Sequence, residues 1–332
     1  MTGKVGIIVN PIAGNDIRRI VANASFITNV EKINITKRLL AGLNASGISE
    51  ILLMPDFYGI AQNAILDMPN LNTNYAFIDM DPQGDYTDSI KAAELMKKDG
   101  VDCIITLGGD GTVRVVSKAS NSIPLLPLST GTNNVIPYNV DATIAGLAAG
   151  AFSLGIIPKN DVLVTIKRID VLSNAHKLDY ALVDVATTLY QFKGSRALWN
   201  PYALKEIVTS LGIPMNTGLT SLAGMIKPFT QHDEFGMYIR IGKKSRTLVS
   251  TFIAPGMVTR IPVEEFKIIK LGEKIALEKA PTIALDGERE IEFTNETLEV
   301  MLTRNGPKII DLNKLINHLI EKGYFVHSIK NE

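Results

Sequence analysis

The sequence predicts an α/β fold: a parallel sheet with helices on both faces in the first half, then a mainly antiparallel β half. Three observations predict it. Short β-branched runs alternate with helical patterns up to about residue 150. From about 160 to 303 the runs are short and β-rich, with few helical stretches between them. The length, 332 residues, exceeds what one core usually organises. The expected division is 1–150, an α/β domain; 151–305, a β-rich domain; and 306–332, a C-terminal helix packing back on the first domain.

Each element follows from its pattern. Val5 to Val9 is a continuous β-branched strand that ends at Asn10-Pro11 and the small-residue turn IAGN. From Ile17 to Leu43 the pattern is mixed and becomes helical in its second half, with Gly47 as its stop. Short strands are expected at 50–54 and 74–80. Residues 87–98 predict a helix capped by Thr87, with Ala92, Leu95 and Met96 on one face and Gly100 beyond its end. A buried strand at 102–106 leads into LGGDGT, a helix from about Val113 to Ala119 follows, and IPLLPLS at 123–129 is the next strand. In the second half the main helical stretch is PYALKEIVTSL at 201–211. DLNKLINHLIEKG at 311–323 reads as an amphipathic helix capped by its aspartate.

Composition narrows the function classes. Lysine plus arginine equals aspartate plus glutamate, 34 against 34, so no net field draws in nucleic acid or a membrane surface. The 16-residue apolar run at 142–157 is too short to span a bilayer. The opening apolar run is too short for a signal peptide, and a cytoplasmic protein is the expectation. The single cysteine, Cys103, sits among apolar neighbours as a buried small hydrophobe. His176, His232, His318 and His327 lack metal-ligand spacing. Lys167 and Arg168 read as solvated strand residues.

The chemistry concentrates around Asp110. The dinucleotide fingerprint fails here, because Arg114 stands where the third small residue should be. The nearest Walker-type spacing, Gly236 to Gly242-Lys243-Lys244, is one residue too long and lacks the hydroxyl. Yet a glycine-rich turn between a buried strand and a helix start presents backbone N–H groups and the positive end of a helix dipole to an anion. Thr112 can cap the helix or touch a phosphate oxygen. An aspartate beside phosphate needs a hydroxyl or a divalent cation between them. Asp110-Gly111 is also compatible with a simple tight turn. A second polar loop, Ser129 to Asn134 around Gly131, also begins at a strand end and would form another wall of the same crevice. Asp286-Gly287-Glu288 lies between TIAL and REIEF and fits a hairpin turn. Arg196 and Trp199 fit either an acceptor pocket or a partly buried structural patch.

These residues resemble a known family. Gly108-Gly109-Asp110-Gly111-Thr112 is similar to the signature of the superfamily holding NAD kinases, diacylglycerol and sphingosine kinases and bacterial 6-phosphofructokinases. IIVNPIAGN resembles its first strand and Asn-Pro-x-x-Gly turn, GTNN at 131–134 its lipid-kinase Gly-Thr-x-Asn stretch, and ALDGE at 284–288 its Asp-Gly-Glu. GDYTDS at 84–89 and FKGSRALW at 192–199 resemble the ATP-NAD kinase-like family that includes proteins of acetoin-utilisation gene clusters. The Asn-Glu pair and the Thr-Pro-Thr-Gly-Ser-like stretch of NAD kinases are not found in clear form.

The resemblance implies a Rossmann-like domain and a β domain, with the active site in the crevice between them. It implies a magnesium-dependent phosphotransferase using ATP or polyphosphate, with the adenosine ribose hydroxyl of NAD as first acceptor. A lipid or other small alcohol is the alternative acceptor, and a nucleotide-binding regulator without turnover the further one. The implied catalytic residues are Asp110, Asp286 and Glu288, with Asp286 also a metal candidate. The implied nucleotide and phosphate set is Asn10, Gly108, Gly109, Gly111, Thr112, Thr130, Gly131, Thr132, Asn133 and Asn134. A homo-oligomer is implied as well.

Overall fold

The computed structural model describes residues 2–15, 17–120, 122–131, 134–190, 196–242, 245–292 and 297–326. Thr132, Asn133 and the first half of the FKGSRALW stretch therefore lie outside the described residues.

The alternating first half builds a seven-stranded sheet. Its order is Asn74–Phe77, Glu50–Leu53, Lys4–Val9, Cys103–Gly108, Leu125–Ser129, Lys308–Ile310 and Leu163–Thr165. The first six strands run parallel, and Leu163–Thr165 pairs antiparallel to Lys308–Ile310. The direction of winding reverses between Lys4–Val9 and Cys103–Gly108, where Val9 stands beside Leu107. At such a reversal the loops after both strands diverge and leave a crevice. Asn10 and Gly109 are the first residues beyond those two strand ends.

Helices cover both faces. Asn29–Ser46, Ile60–Leu66, Ala142–Ser153 and the tail helix Leu312–Glu321 bury one core, with Leu312, Leu315 and Leu319 among its members. The apolar 142–157 run is explained here: Gly42 and Gly146 let two helices approach until an added Cβ would strike the partner's backbone, at Thr143 and Leu39 respectively. Asp311 caps the tail helix, accepting from the Lys314 N–H at 3.0 Å. Tyr86–Lys98 and Asp110–Ser120 cover the other face.

The second half forms two antiparallel sheets. One has seven strands, ordered Leu248–Ala254, Met257–Lys270, Phe235–Ile241, Leu204–Thr209, Asp184–Thr188, Thr282–Leu285 and Glu288–Glu292. The other has four: Lys274–Ala276, Leu298–Thr303, Arg168–Ser173 and His176–Ala181. Val185, Val208 and Ile283 of the first pack on Ile169, Val171 and Val300 of the second.

Several expectations need correction. The 201–211 stretch is not a helix; after a short 3₁₀ turn it is the strand Leu204–Thr209. Its apolar spacing of three and four fits a helix, but pairing on both sides outweighs propensity. Glu206, buried in that strand, accepts from the Tyr238 hydroxyl at 2.8 Å and the Glu278 N–H at 2.7 Å. Among the described residues the α-helix between the strands of this half is Leu219–Ile226 instead, a short apolar segment without a polar face to announce it. The 86–98 helix is capped by Asp85, which accepts from the Thr87 N–H at 2.7 Å, so Thr87 is the donor to the cap and not the cap. Lys167 is buried rather than solvated. Its Nζ donates to the carbonyls of Thr230 at 2.8 Å and Phe235 at 2.7 Å, and burial pulls its pKa down to about 8. Burial likewise pushes the Cys103 thiol up to about 12.

Candidate active site

Asp110, Gly111 and Thr112 of the GGDGT stretch are helix rather than loop, while Gly108 ends the strand and Gly109 alone lies between. Asp110–Ser120 begins at the aspartate, three residues earlier than the periodicity predicts, because Val113 N–H bonds back to the Gly109 carbonyl at 3.1 Å. The first turn of a helix leaves N–H groups without intrahelical partners. Asp110, Gly111 and Thr112 are that turn, and they open into a cleft of about 1130 Å³.

The glycines differ in their reasons. A Cβ at Gly108 would collide with Thr112, and one at Gly109 would come within 2.8 Å of Asn134 Oδ1. Gly131 is equally tight, 2.7 Å from the same atom. Gly109 and Gly131 allow the two strand-end loops to touch, while Gly108 makes room for Thr112. Only Gly111 faces open space in the cleft, with nothing within 4 Å of an added Cβ. We expect Gly111→Ala to raise stability by up to about 1 kcal/mol, since glycine is a poor helix former. The same methyl would weaken nucleotide binding by crowding the helix N–H groups. Thermal unfolding and an ATP titration on one preparation check both halves; unchanged affinity would remove Gly111 from the phosphate site.

Asn10 lines the cleft and fastens the neighbouring turn. Its Nδ2 donates to Thr112 Oγ1 at 2.9 Å, and its Oδ1 accepts from the Ile12 N–H at 3.0 Å. Gly131 and Asn134 line the cleft too, whereas Gly108 and Thr130 are buried behind its wall. Asp85, Tyr86 and Arg196 complete other parts of the rim; Trp199 is not among the lining residues.

Asp110 turns away from solvent. Its carboxylate accepts from the Ile136 N–H at 2.8 Å and the Val135 N–H at 3.0 Å, clasping the second loop to the first. Burial pushes its pKa up to about 7, the two N–H bonds and Arg18 oppose that rise, and the charge of Asp286 adds to it.

Asp286 arrives from the second half. Asp286 and Gly287 have φ of 52° and 77°, and they join Thr282–Leu285 to Glu288–Glu292. The hairpin-turn reading of this motif is therefore right as geometry: both residues sit left-handed, as a two-residue hairpin turn of this kind demands. The side chain nevertheless enters the site, fully buried. Oδ1 accepts from the N–H groups of Leu182 at 2.9 Å and Val183 at 2.8 Å, and Oδ2 lies 3.1 Å from Arg114 Nε. Neither Oδ2 nor Nε has a directed hydrogen bond, so that last contact is coulombic. Burial raises the Asp286 pKa against the pull of Arg114. Glu288, beside it in the cleft, is raised by burial and by Glu290.

Two central residues escaped the sequence reading. Arg114 is 3% exposed and reaches three carboxylates: Asp286, Glu290 at 3.1 Å and Asp179 at 3.5 Å. It spoils the dinucleotide fingerprint because it is a bridge between the two halves. Asp184 is the other. It accepts from the Gly287 N–H at 3.0 Å, and burial pushes its pKa up to about 8, with Asp286 and Asp110 adding to the rise. A lone acid inside the apolar run YALVDVATTLY was the available signal. Asp110, Asp184 and Asp286 also line a small pocket with Arg18 and with Gly218 and Thr220, where the helix Leu219–Ile226 begins.

A folded-state pKa raised above the unfolded value means that the native protein binds the extra proton. Stability from Asp184 is then fully present below about pH 4 and is lost as pH rises through about 8. Asp184→Asn should therefore gain on the parent protein with rising pH, by on the order of 4 kcal/mol between pH 5 and 9. Denaturant midpoints at several pH values test this; a pH-independent difference would mean that Asp184 is ionised throughout.

Comparison with known proteins finds a family match in each half of the chain. Residues 5–149 match the ATP-NAD kinase N-terminal domain. Residues 167–305 match the acetoin catabolism protein X C-terminal domain. Among solved structures, a diacylglycerol kinase candidate from Bacillus anthracis str. Sterne covers 92% of this chain and 97% of its own, at 14% identity and a TM-score of 0.45. The acetoin catabolism protein X of Cupriavidus necator is 34% identical over 333 residues, 95% of this chain and 91% of that protein. A single relative thus spans both halves and the crevice between them, and the chain belongs to the acetoin catabolism protein X family.

Proposed function

We propose that the protein is an ATP-dependent phosphotransferase that acts on a hydroxyl group, with the adenosine ribose 2′-hydroxyl of NAD as the first acceptor to test. One observation carries the reading: the open first turn of the Asp110–Ser120 helix faces carboxylates of the second half across a single cleft. Phosphoryl transfer needs positioned donors and charge stabilisation more than covalent chemistry. The match of residues 5–149 to the ATP-NAD kinase N-terminal domain supports both the donor and the acceptor. Polyphosphate is the alternative donor.

In this reading the N–H groups of Gly111 and Thr112 hold phosphate, with Asn10, Gly131 and Asn134 shaping the nucleotide side. Asp110 accepts or orients the proton of the acceptor hydroxyl. A carboxylate poised at about 7 suits that task at neutral pH. Arg114 and Arg18 offset charge on the transferring group.

Magnesium fits as a bridge rather than as a caged ion. Among the described residues no three histidine, cysteine or acidic side chains form a metal-holding group. Magnesium commonly needs only one or two carboxylates beside substrate phosphates. Asp286 commits Oδ1 to two N–H groups and sits against Arg114, so Glu288 is the side chain we assign to it first. When bound, the ion would neutralise charge on the phosphates.

The test is purified protein with magnesium, ATP and NAD, followed by a dehydrogenase that accepts only NADP. NADP formation that depends on Asp110 is the expected result. No NADP from protein that still binds ATP would overturn NAD as the acceptor.

A further inference from the structure

The cleft has a neighbour. Lys118 and Asp179 line its rim and also line a second groove of about 340 Å³. Arg168, Lys177, Tyr180 and the 305–307 loop supply most of the rest of that groove. It lies where the helix Asp110–Ser120 meets the hairpin of Arg168–Ser173 and His176–Ala181.

Three cations surround one aromatic ring here. Lys118 Nζ is 5.9 Å from the Tyr180 ring centroid, and the Arg168 guanidinium and Lys177 Nζ are each 4.9 Å from it. Each contact is favourable by itself. Together they gather like charges that repel. Two carboxylates answer them. Asp179 takes Lys118 at 2.8 Å but is shared with Arg114 at 3.5 Å. Asp170 takes Arg168 at 2.9 Å and lies 3.6 Å from Lys177. Lys118, Arg168 and Lys177 thus share two carboxylates, one of which also serves Arg114.

The larger cleft is balanced the other way. Its lining acids, Asp85, Asp110, Asp179, Asp286, Glu288 and Glu290, outnumber its five lining arginines and lysine. The groove lining has three cations against one acid, or three against two once Asp170, which pairs with Arg168 from outside the lining, is counted. The local surplus of positive charge therefore sits beside the cleft, on side chains held by an aromatic wall. We propose that this groove is an anion subsite for a phosphate or carboxylate group. That group is either a free anion or the end of a ligand extending from the cleft. The assignment stands whether or not the cleft transfers phosphoryl groups.

Lys177 belongs to the groove and not to the cleft, so its variants separate the two. Inorganic phosphate and ATP are each titrated calorimetrically into the full chain, into Lys177→Gln and into Lys177→Glu, with thermal unfolding as the check on folding. The loss of one charge-assisted partner should weaken the affected ligand about tenfold. Phosphate weakened with ATP unchanged assigns the groove to a free anion. ATP weakened as well assigns it to a ligand's tail. If both folded variants bind phosphate and ATP as the parent protein does, the proposal is wrong.

Discussion

Asp110→Ala is expected to lower phosphotransfer by roughly 10²–10⁴-fold, the usual worth of a positioned acid–base group. It should also loosen the second loop, because the N–H groups of Val135 and Ile136 lose their acceptor. Asp110→Asn separates these effects. An amide oxygen can still accept from Ile136, while the titrating group is gone. Activity of the parent protein should climb as pH rises through about 7, where Asp110 ionises. The Asn variant should be folded, nearly inactive and without that climb. The coupled NADP assay, run against pH on both proteins, reads this directly. A fully active Asn variant would remove Asp110 from proton handling and leave it as a clasp. The sign is opposite to that of Asp184 in stability: the rise in pH that favours catalysis weakens the fold.

Arg114→Met should be the most destabilising single change in the site, at about 3–5 kcal/mol, because removing one partner leaves buried charge unanswered. The carboxylate of Asp286 is fully buried, and Glu290 and Asp179 are largely shielded. Arg114→Lys should recover little, since an ammonium cannot serve three carboxylates in a fixed fork. Adding Asp286→Asn to Arg114→Met should restore part of the loss, because the orphaned charge goes with it. Urea unfolding of the single and double variants measures that coupling. A cost under about 1 kcal/mol for Arg114→Met would show that the bridge is incidental.

Legibility in the sequence followed what each signal encodes. The strands of the first sheet are continuous apolar runs ended by turn residues, and Lys4–Val9 and Cys103–Gly108 were legible from that alone as 5–9 and 102–106. The helix Leu312–Glu321 announced itself by an aspartate cap and a leucine stripe. Leu204–Thr209 was misread because its spacing satisfies a helix while its neighbours in the sheet, distant in sequence, decide the outcome. In the site, Asp110 and Asp286 were found through their glycine partners. Their burial was not, because it depends on which backbone N–H groups arrive from elsewhere. Arg114 and Asp184 carry no local mark beyond being charged in apolar company. Lys167 shows the same blindness: its carbonyl partners lie more than sixty positions further along the chain.

The place of Lys308–Ile310 bears on how the chain is made. Leu125–Ser129 has Cys103–Gly108 on one side early in synthesis, but its other edge is closed by a strand near the far end of the chain. Translation must run through both antiparallel sheets before that edge can pair. Until then the nascent first half carries an uncovered strand, and the chain between the two partners must form its own sheets without trapping the returning segment outside.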